Sequence, residues 1–336
     1  MNALKTLSAA IALISIAACS VTSTKDVVKP PAEASGPFGM FTHDPVNVEG
    51  GKAFTGVKKV VIGSFKVGFI TTKKEKEKAG SGSGGNSSAL VELHGITPEV
   101  MQSITEKAYQ DLISQLQASG YEVADRAQLT SSEFAKSDNE VSPFTEEASF
   151  FGSDDTVTYV APKSIGKLYF FGGETARKNG FGFNMPDIAA SGFAEKNKLP
   201  VISVMYNVDF ISKSGSGGSF ASFSALEVGQ ALTVKPGSGI TLIGGQGGTF
   251  STTNGSVRLG QPVASPVAFG EIMQTSSGGM IALETTVNAA SALLGGGTNQ
   301  SREFQVTADP QKYSTGTENI LKQTNTDLIR SMQTAK

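Results

Sequence analysis

The sequence "VKKVVIGSFKVGFI", Val57–Ile70, has a clear strand pattern. Its large apolar side chains recur with a period of two, at Val61, Phe65, Val67 and Phe69. A period of two places side chains on one face of a β-strand. The stretch therefore predicts a strand whose apolar face covers a core.

A run of alternating charges follows this strand. Lys73–Lys78 has the sequence KKEKEK, a glycine- and serine-rich segment spans 80–85, and an apolar pattern resumes at Ala89–Leu93. Together these features predict a hairpin with a long tip and a solvated charge run. Contact between the lysines and anionic lipid or glycan is the alternative. Gly80, Gly82 and Gly85 match GxGxxG, but a phosphate-binding loop needs a helix directly after it, so nucleotide binding is not expected.

The clearest helix begins at Thr97-Pro98-Glu99, where a capping hydroxyl precedes a proline in the first turn. Its apolar residues recur at helical spacing, at Val100, Met101, Ile104, Ala108, Leu112, Ile113 and Leu116. Gly120 ends it, and Tyr121–Val123 predicts a returning strand. The polar residues 129–155 predict a loop.

The second half of the chain is rich in strand patterns separated by glycine clusters. The predicted strands are 167–171, 200–211, 219–234, 240–243, 249–259, 280–287 and 302–307. Lys213–Gly218 predicts a turn. Asp309-Pro310 predicts the start of a C-terminal helix with apolar positions Ile320, Leu321, Thr324, Leu328, Ile329 and Met332. The fold class is therefore α+β, with a mixed or antiparallel sheet, two main amphipathic helices and a β-rich C-terminal half.

The N-terminus has the pattern of a secretory signal peptide: a basic Lys5, an apolar stretch over 7–16, and small residues. The apolar stretch is shorter than the roughly 20 residues that a membrane-spanning helix needs. Ile16-Ala17-Ala18-Cys19 resembles the bacterial lipobox, and the cysteine is the only one in the chain. The resemblance implies that Cys19 is acylated (palmitate being a typical acyl chain) and becomes the first mature residue. Ser20 then implies sorting to the outer membrane, with the folded part in the periplasm.

These signals predict four regions: a signal peptide over 1–18, a lipidated flexible tether over 19–53, an α+β domain over 54–160, and a β-rich region with a C-terminal helix over 161–336. The last region either stands alone or forms one domain with the preceding part. The tether prediction rests on Lys29-Pro30-Pro31 and Ser35-Gly36-Pro37, which interrupt any helix.

Catalytic and metal-binding patterns are missing from the sequence. His43 and His94 lack a second histidine at ligand spacing, so a zinc site is not expected. A GxSxG motif does not occur. Glu146-Glu147 and Asp154-Asp155 are adjacent carboxylates, and solvated turn residues are their expected role. Acylation would remove the only thiol, excluding disulfides and cysteine catalysis. We therefore expect a protein that is not an enzyme and that carries no cofactor or metal.

Composition excludes a further class of partner. The formal net charge is −2, so nucleic acid is not an expected partner. The 39 glycines and the absence of tryptophan fit a loop-rich, β-rich body.

Two segments in order, Lys58-Lys59-Val60-Val61-Ile62 and Gly120-Tyr121-Glu122-Val123 with the helix between them, resemble a known domain. It is the periplasmic domain of curli-secretion lipoproteins and of related envelope lipoproteins with a TolB-N-terminal-like fold. The likeness covers at most the first third of the chain plus the element order, and it includes no functional residues. It implies an α+β domain with a role in envelope assembly or transport.

The leading hypothesis is a non-catalytic envelope lipoprotein that binds a partner protein or an envelope polymer. One alternative is a subunit of an oligomeric secretion pore, with a spanning hairpin within Ser219–Thr286. A membrane strand would need about 9–11 residues alternating apolar and polar. The glycines interrupt that pattern, so a soluble sheet layer is favoured. The other alternative is a periplasmic carrier of an apolar ligand.

Overall fold

The structure is a computed structural model that describes most of the chain from Ser20 to Ala335. The described residues are 20–24, 27, 34–35, 41–42, 44–78, 86–150, 153–172, 174, 185–216, 225–245, 253–275, 281–282 and 299–335. Their fold is α+β, as predicted, with one large mixed sheet and helices packed on it.

Two long amphipathic helices confirm the sequence prediction. The helices of the described part are α1 (Pro98–Ala118), α2 (Ala127–Thr130), α3 (Pro186–Asn197) and α4 (Pro310–Thr334). The carboxylate of Asp309 caps α4 by accepting from the backbone N–H groups of Gln311 and Lys312. Thr97 is the N-cap residue of α1, but its hydroxyl does not cap the helix, contrary to expectation.

Strands account for the rest of the regular structure. They are β1 (Ser20–Thr24), β2 (Ala34–Ser35), β3 (Phe41–Thr42), β4 (Val46–Glu49), β5 (Lys59–Lys78), β6 (Asn86–His94), β7 (Glu122–Val123), β8 (Glu140–Val141), β9 (Phe144–Phe150), β10 (Ser153–Val160), β11 (Lys167–Leu168), β12 (Val201–Ser216), β13 (Ala225–Val234), β14 (Gly239–Gly245), β15 (Thr253–Leu259), β16 (Val263–Ala264), β17 (Gly270–Gln274), β18 (Ile281–Ala282) and β19 (Asn299–Ala308).

The sheet is built around the parallel pair β5 and β12, which run side by side from Val61 and Val201 to Phe69 and Val208. The main order is β18-β17-β19-β6-β5-β12-β14-β15-β4. β13 and β14 both pair antiparallel with β12, one after the other, so they lie in line beside it. Because β5 and β12 come from the two predicted regions, 54–160 and 161–336 share one sheet.

Helices α1 and α4 pack together on one face of the sheet. Asn325 of α4 links three elements: it accepts from the Tyr206 hydroxyl at 2.6 Å, and its amide donates to Asp111 Oδ2 at 2.7 Å. Gln333 of α4 reaches the carbonyl of Ser119, so both helices end at the same end of the sheet. The predicted apolar positions of α4 are all buried in this core.

A second, smaller core lies on the other face. It includes Phe134, Phe171, Phe193 of α3 and Val61. Ile202 is paired with Ile62 and Ser203 with Ser64, so β5 has one extra residue at this point. Beyond it, the alternation of side chains between the two faces of β5 is reversed. As a result Val61 packs in this second core, whereas Phe65, Val67 and Phe69 pack in the main one. The prediction that all four share one face was wrong for Val61.

The N-terminal region differs from the predicted tether. Ser20–Thr24 is a strand of the large sheet, and Val46–Glu49 pairs with β15. Ala53 and Phe54 are buried within a 3-10 turn, Gly51–Phe54. The proline and glycine pattern therefore did not predict the long-range pairing of β1 and β4.

Two further sequence predictions were wrong. The predicted hairpin is present as β5 and β6, but the charge run Lys73–Lys78 is the end of β5 and not a solvated tip: Lys73 and Glu75 are buried, whereas Lys74 and Lys76 are exposed. The predicted loop 129–155 contains a 3-10 turn at Glu133–Lys136, the hairpin β9–β10 and the short strand β8. Conversely, α3 lies where no helix was predicted.

Gly68 is a glycine that the packing requires. A Cβ at this position would lie 2.6 Å from Asn207 Oδ1 and 2.7 Å from Tyr159 Cε1. We expect Gly68→Ala to lower the free energy of unfolding by about 1–3 kcal/mol, the usual penalty for overpacking. Gly192→Ala is the control: it lies in α3 with open space around it, and we expect it to raise stability by roughly 0.4–1 kcal/mol. Urea unfolding of both variants checks this, and equal effects would contradict the packing argument.

Candidate functional site

Two rows of paired residues lie at the same end of the sheet. In one row of paired residues, Ser20 of β1 lies beside Ala225 of β13, which lies beside Ser216 of β12. In a second row, Lys78 of β5 lies beside Asn86 of β6, which lies beside Asn299 of β19. Since β5 and β12 are parallel, both rows are at the same end. We call it the strand-tip end; the C-termini of α1 and α4 lie at the opposite, helix end.

Strand β1 is built into the sheet at the strand-tip end. It pairs in parallel with β13 over its whole length and also contacts β6, β17 and β19. Val21 is fully buried in the main core. Gln230 of β13 closes the same region, because its side-chain oxygen accepts from the N–H groups of Phe269 and Gly270 at the start of β17. The residues that directly follow Cys19 are therefore part of the folded body.

A chain of buried charges runs through the middle of the sheet. Lys73 Nζ lies 2.5 Å from Asp209 Oδ2 and 3.0 Å from Glu75 Oε1. Lys235 Nζ lies 3.8 Å from the same Asp209 oxygen and 3.5 Å from Asp155 Oδ2. We call these five residues the ionic chain. It joins β5, β10, β12 and the turn after β13.

The charges of the ionic chain hold one another ionised. Burial alone would lower the pKa of Lys73, but Asp209 and Glu75 outweigh it and raise the pKa above its usual value. Burial alone would raise the pKa of Asp209, but Lys73 and Lys235 outweigh it and lower that pKa. The second oxygen of Asp209 accepts from the N–H groups of Phe210 and Ile211. Its carboxylate is thus stabilised by cations on one side and by backbone on the other.

A second polar centre surrounds Lys66, which has no exposed surface. Its Nζ lies 2.6 Å from Glu174 Oε2 and donates to the hydroxyls of Ser64 and Ser203, at 3.1 and 3.2 Å. Ser203 in turn donates to Glu174 Oε1 at 2.6 Å, and the ring of Phe170 lies 5.4 Å from Nζ. We call Ser64, Lys66, Glu174 and Ser203 the Lys66 centre.

The Lys66 centre contains a serine, a lysine and a carboxylate, which are residue types of acyl-transfer sites. All four side chains are buried, with at most 2% of their surface exposed. Burial lowers the pKa of Lys66, opposed by Glu174. Because each group is hydrogen-bonded to another member and closed off from solvent, the arrangement can tie β5, β12 and the segment around Phe171 together.

An open groove lies at the helix end. It has a volume of about 510 Å³ and is lined by Phe54, Val57, Tyr121 and Met332 with polar rims at Lys58 and Gln333. The C-terminal turns of α1 and α4 form one wall. This groove is an accessible concave surface that a ligand or a partner side chain could enter.

Most residues singled out from sequence lie away from these clusters. Cys19, His43 and Gly80, Gly82 and Gly85 are outside the described residues. His94 is exposed at the end of β6, with its Nε2 3.3 Å from Glu92 Oε2. Within the described ranges no three His, Cys, Asp or Glu side chains form a group that could hold a metal ion.

The adjacent carboxylates were expected in solvated turns, but the structure places all four in strands, Glu146 and Glu147 in β9 and Asp154 and Asp155 in β10. Asp155 has no exposed surface and belongs to the ionic chain. Glu147 is exposed on β9. A buried Asp155 is expected only if a cation reaches it, and that cation, Lys235, is far away in the sequence.

Sequence patterns did not reveal either cluster. The signal that could have found them is a charged residue inside an apolar strand pattern: Lys66 within β5 and Asp209 within β12. Such a charge is rarely buried unless it is paired.

Comparisons with protein-family models, with curated proteins and with solved structures found no match. Among the helices that the structure describes, none has the length and apolar character to cross a membrane.

Proposed function

We propose that this chain is a non-catalytic lipoprotein of the bacterial cell envelope, held at the outer membrane by acylated Cys19 with its folded part in the periplasm. It serves there as a binding, assembly or transport accessory factor. The observation that carries the proposal is the position of β1. The described sheet begins at Ser20, directly after the lipobox cysteine, so processing before Cys19 would leave every residue of β1 in its pairing.

The closed character of the polar clusters supports a binding role over a catalytic one. The charges of the ionic chain are at most 19% exposed and face one another, and the Lys66 centre is sealed. Such groups stabilise an arrangement of strands and do not meet a substrate from solvent. The open groove at the helix end supports a role in binding a partner or an apolar ligand.

The pore alternative receives less support from the packing. Described residues of its candidate spanning segment, Val228, Leu232, Ile240 and Leu242, are buried in the main core. Side chains committed to that core are not available to lipid. Size analysis of detergent-extracted protein separates the two: we expect a monomer, and a ring-sized oligomer that conducts ions in bilayers would favour the pore.

Replacement of the anchor residue tests the proposal. We expect the intact mass of the wild-type chain from membranes to equal Cys19–Lys336 plus acyl groups. Cys19→Ser should carry no acyl mass and should lose its tight membrane association. Ser20→Ala is the matched control, because it alters the neighbouring residue and keeps the cysteine. A wild-type mass without lipid would overturn the proposal.

A further inference from the structure

We propose that Arg126, with Tyr109, Tyr169 and Ser164 around it, forms a binding site for a phosphate group at an edge of the sheet. The site shares no residue with the groove at the helix end. It goes beyond the proposed function and does not depend on the acylation of Cys19, because all four side chains belong to the folded body.

The first step is a gap in the strand pairing of β5. On the side opposite β12, the short strand β7 pairs with the first two residues of β5, and β10 pairs only from Val67 onward. Between them lies the extra residue of β5, Gly63, and such β-bulges are over-represented next to active sites. Arg126 fills the gap: its Nε donates to the Ile62 carbonyl at 2.7 Å and its Nη2 to the Gly63 carbonyl at 3.0 Å. The backbone of β5 therefore fixes the position of the guanidinium.

The second step is the charge of Arg126, which no described carboxylate balances. Within the part of the chain that the structure describes, its hydrogen bonds go to those two carbonyls, and its Nη1 has no partner. Arg126 is partly buried, and burial lowers its pKa because it disfavours the charged form. Glu106 lies near Tyr109, but it accepts from the Gln102 amide at 3.0 Å and from the Lys163 N–H at 2.6 Å. A bound anion would balance the charge of Arg126 and lower the cost of its burial.

The third step is the set of hydroxyl groups around the guanidinium. The Ser64 hydroxyl donates to the Tyr169 carbonyl at 2.8 Å, and the next residue, Phe65, has its ring 5.3 Å from that of Tyr109. Tyr169 belongs to the second core and Tyr109 to the main core, so the two tyrosines come from opposite faces of the sheet. Both are close enough to the guanidinium to influence its pKa. Ser164 is exposed and lies within hydrogen-bonding reach of the Tyr109 hydroxyl, so the cluster reaches solvent.

The chemistry of these groups selects the ligand. The guanidinium of arginine presents N–H donors in a planar fork that matches the oxygens of phosphate. Serine and tyrosine hydroxyls can donate to further oxygens of the same group. A phosphate monoester has three strong acceptor oxygens, so it can accept from donors that come from both faces of the sheet. The ligand class is therefore free phosphate or a phosphate monoester.

The experiment titrates the full chain with inorganic phosphate in a calorimeter, with the ionic strength held constant by chloride. The wild type is expected to bind, and Arg126→Gln should lose affinity by about ten- to hundredfold, the value of a charge-assisted hydrogen bond. Tyr109→Phe and Tyr169→Phe should each lose about two- to tenfold, because each removes one neutral hydroxyl. Arg330→Gln is the matched control: Arg330 is exposed on α4 beside Asp327, and its loss should leave the affinity unchanged.

The tyrosine variants keep the test decisive if Arg126→Gln fails to fold, because they keep the packed rings. Thermal melting of each variant checks the fold. A folded wild type that does not bind phosphate at millimolar concentration would overturn the inference. Equal affinities of the wild type and of the folded variants at Arg126, Tyr109 and Tyr169 would overturn it as well.

Two further titrations identify the source of the phosphate and separate this inference from the proposed function. Glycerol phosphate that binds as tightly as inorganic phosphate supports the site as one for phosphate esters, and binding of inorganic phosphate alone supports it as one for the free ion. The Cys19→Ser chain should bind phosphate as the wild type does. A failure of the proposed anchoring therefore leaves this result unchanged, and a failure of the phosphate site leaves the anchoring unchanged.

Discussion

Lys66→Ala is expected to lower the free energy of unfolding by about 3–5 kcal/mol, the usual loss when one partner of a buried ion pair is removed. The substitution leaves the Glu174 carboxylate buried, and its remaining hydrogen-bond donors among the described residues are the Ser203 hydroxyl and the Phe171 N–H. In the wild type, Lys66 Nζ lies 2.6 Å from Glu174 Oε2, and the substitution removes this ion pair. Equilibrium urea unfolding followed by circular dichroism measures the change.

Two further variants show that the loss comes from the unpaired charge. In Lys66→Met/Glu174→Gln both charges are gone and the amide oxygen can still accept from Ser203, so we expect most of the stability to return. Lys107→Ala removes a lysine from an exposed pair with Glu318, and its effect should stay within about 1 kcal/mol. If Lys66→Ala were as stable as the wild type, Lys66 would not be paired with Glu174 as described.

Asp209→Asn is the second substitution with a large expected effect, again about 3–5 kcal/mol, because Lys73 and Lys235 lose a shared carboxylate. It should also change the pH dependence of stability. The folded protein holds the pKa of Asp209 below the unfolded value of 3.8. The wild type therefore has this stabilisation in full above pH 3.8 and loses it as the pH falls through the folded pKa.

The Asp209→Asn variant lacks the carboxylate, so it has no stabilisation from this group to lose at low pH. Its stability should accordingly fall less steeply than that of the wild type below pH 3.8. Asp187, whose pKa is raised mainly by burial, acts in the opposite direction but is present in both proteins. Unfolding free energies measured on both sides of this pH test the difference. Parallel curves for the two proteins would refute the proposed role of Asp209.

Local patterns were sufficient to predict the two main helices and the central strand. The apolar spacing of 100–116 and 320–332 gave helix faces that the structure buries, and the Asp309 cap needed only two neighbouring residues. These features depend on contacts within a few residues, which a sequence pattern records directly.

Long-range pairing was not predictable in the same way. Lys73–Lys78 looks like a solvated run because every residue in it is charged, whereas Asp209, the buried carboxylate that Lys73 binds, is 136 positions away. Ser20–Thr24 is too short and polar to predict a strand, and it becomes one because β13 provides the pairing. The helix α3 begins at Pro186 with weak periodicity, and its apolar side chains pack against a core that the sequence does not reveal.

The candidate sites also divide into features that a local pattern predicts and features that depend on long-range contacts. The lipobox is a local pattern, and the proposal for Cys19 rests on it together with the strand that follows. The ionic chain and the Lys66 centre bring together residues from β5, β10, β12 and beyond, so only the fold identifies them. The groove at the helix end likewise needs the C-termini of α1 and α4 side by side.

The measurement that tests the account most directly is amide hydrogen exchange of Val21–Thr24 in the lipidated chain extracted from membranes. Because β1 is paired with β13 and Val21 is fully buried, we expect these amides to be protected, with protection lost when the sheet unfolds. Exchange as fast as in an unstructured peptide would contradict the account, since the anchor would then be joined to the body by a flexible tether.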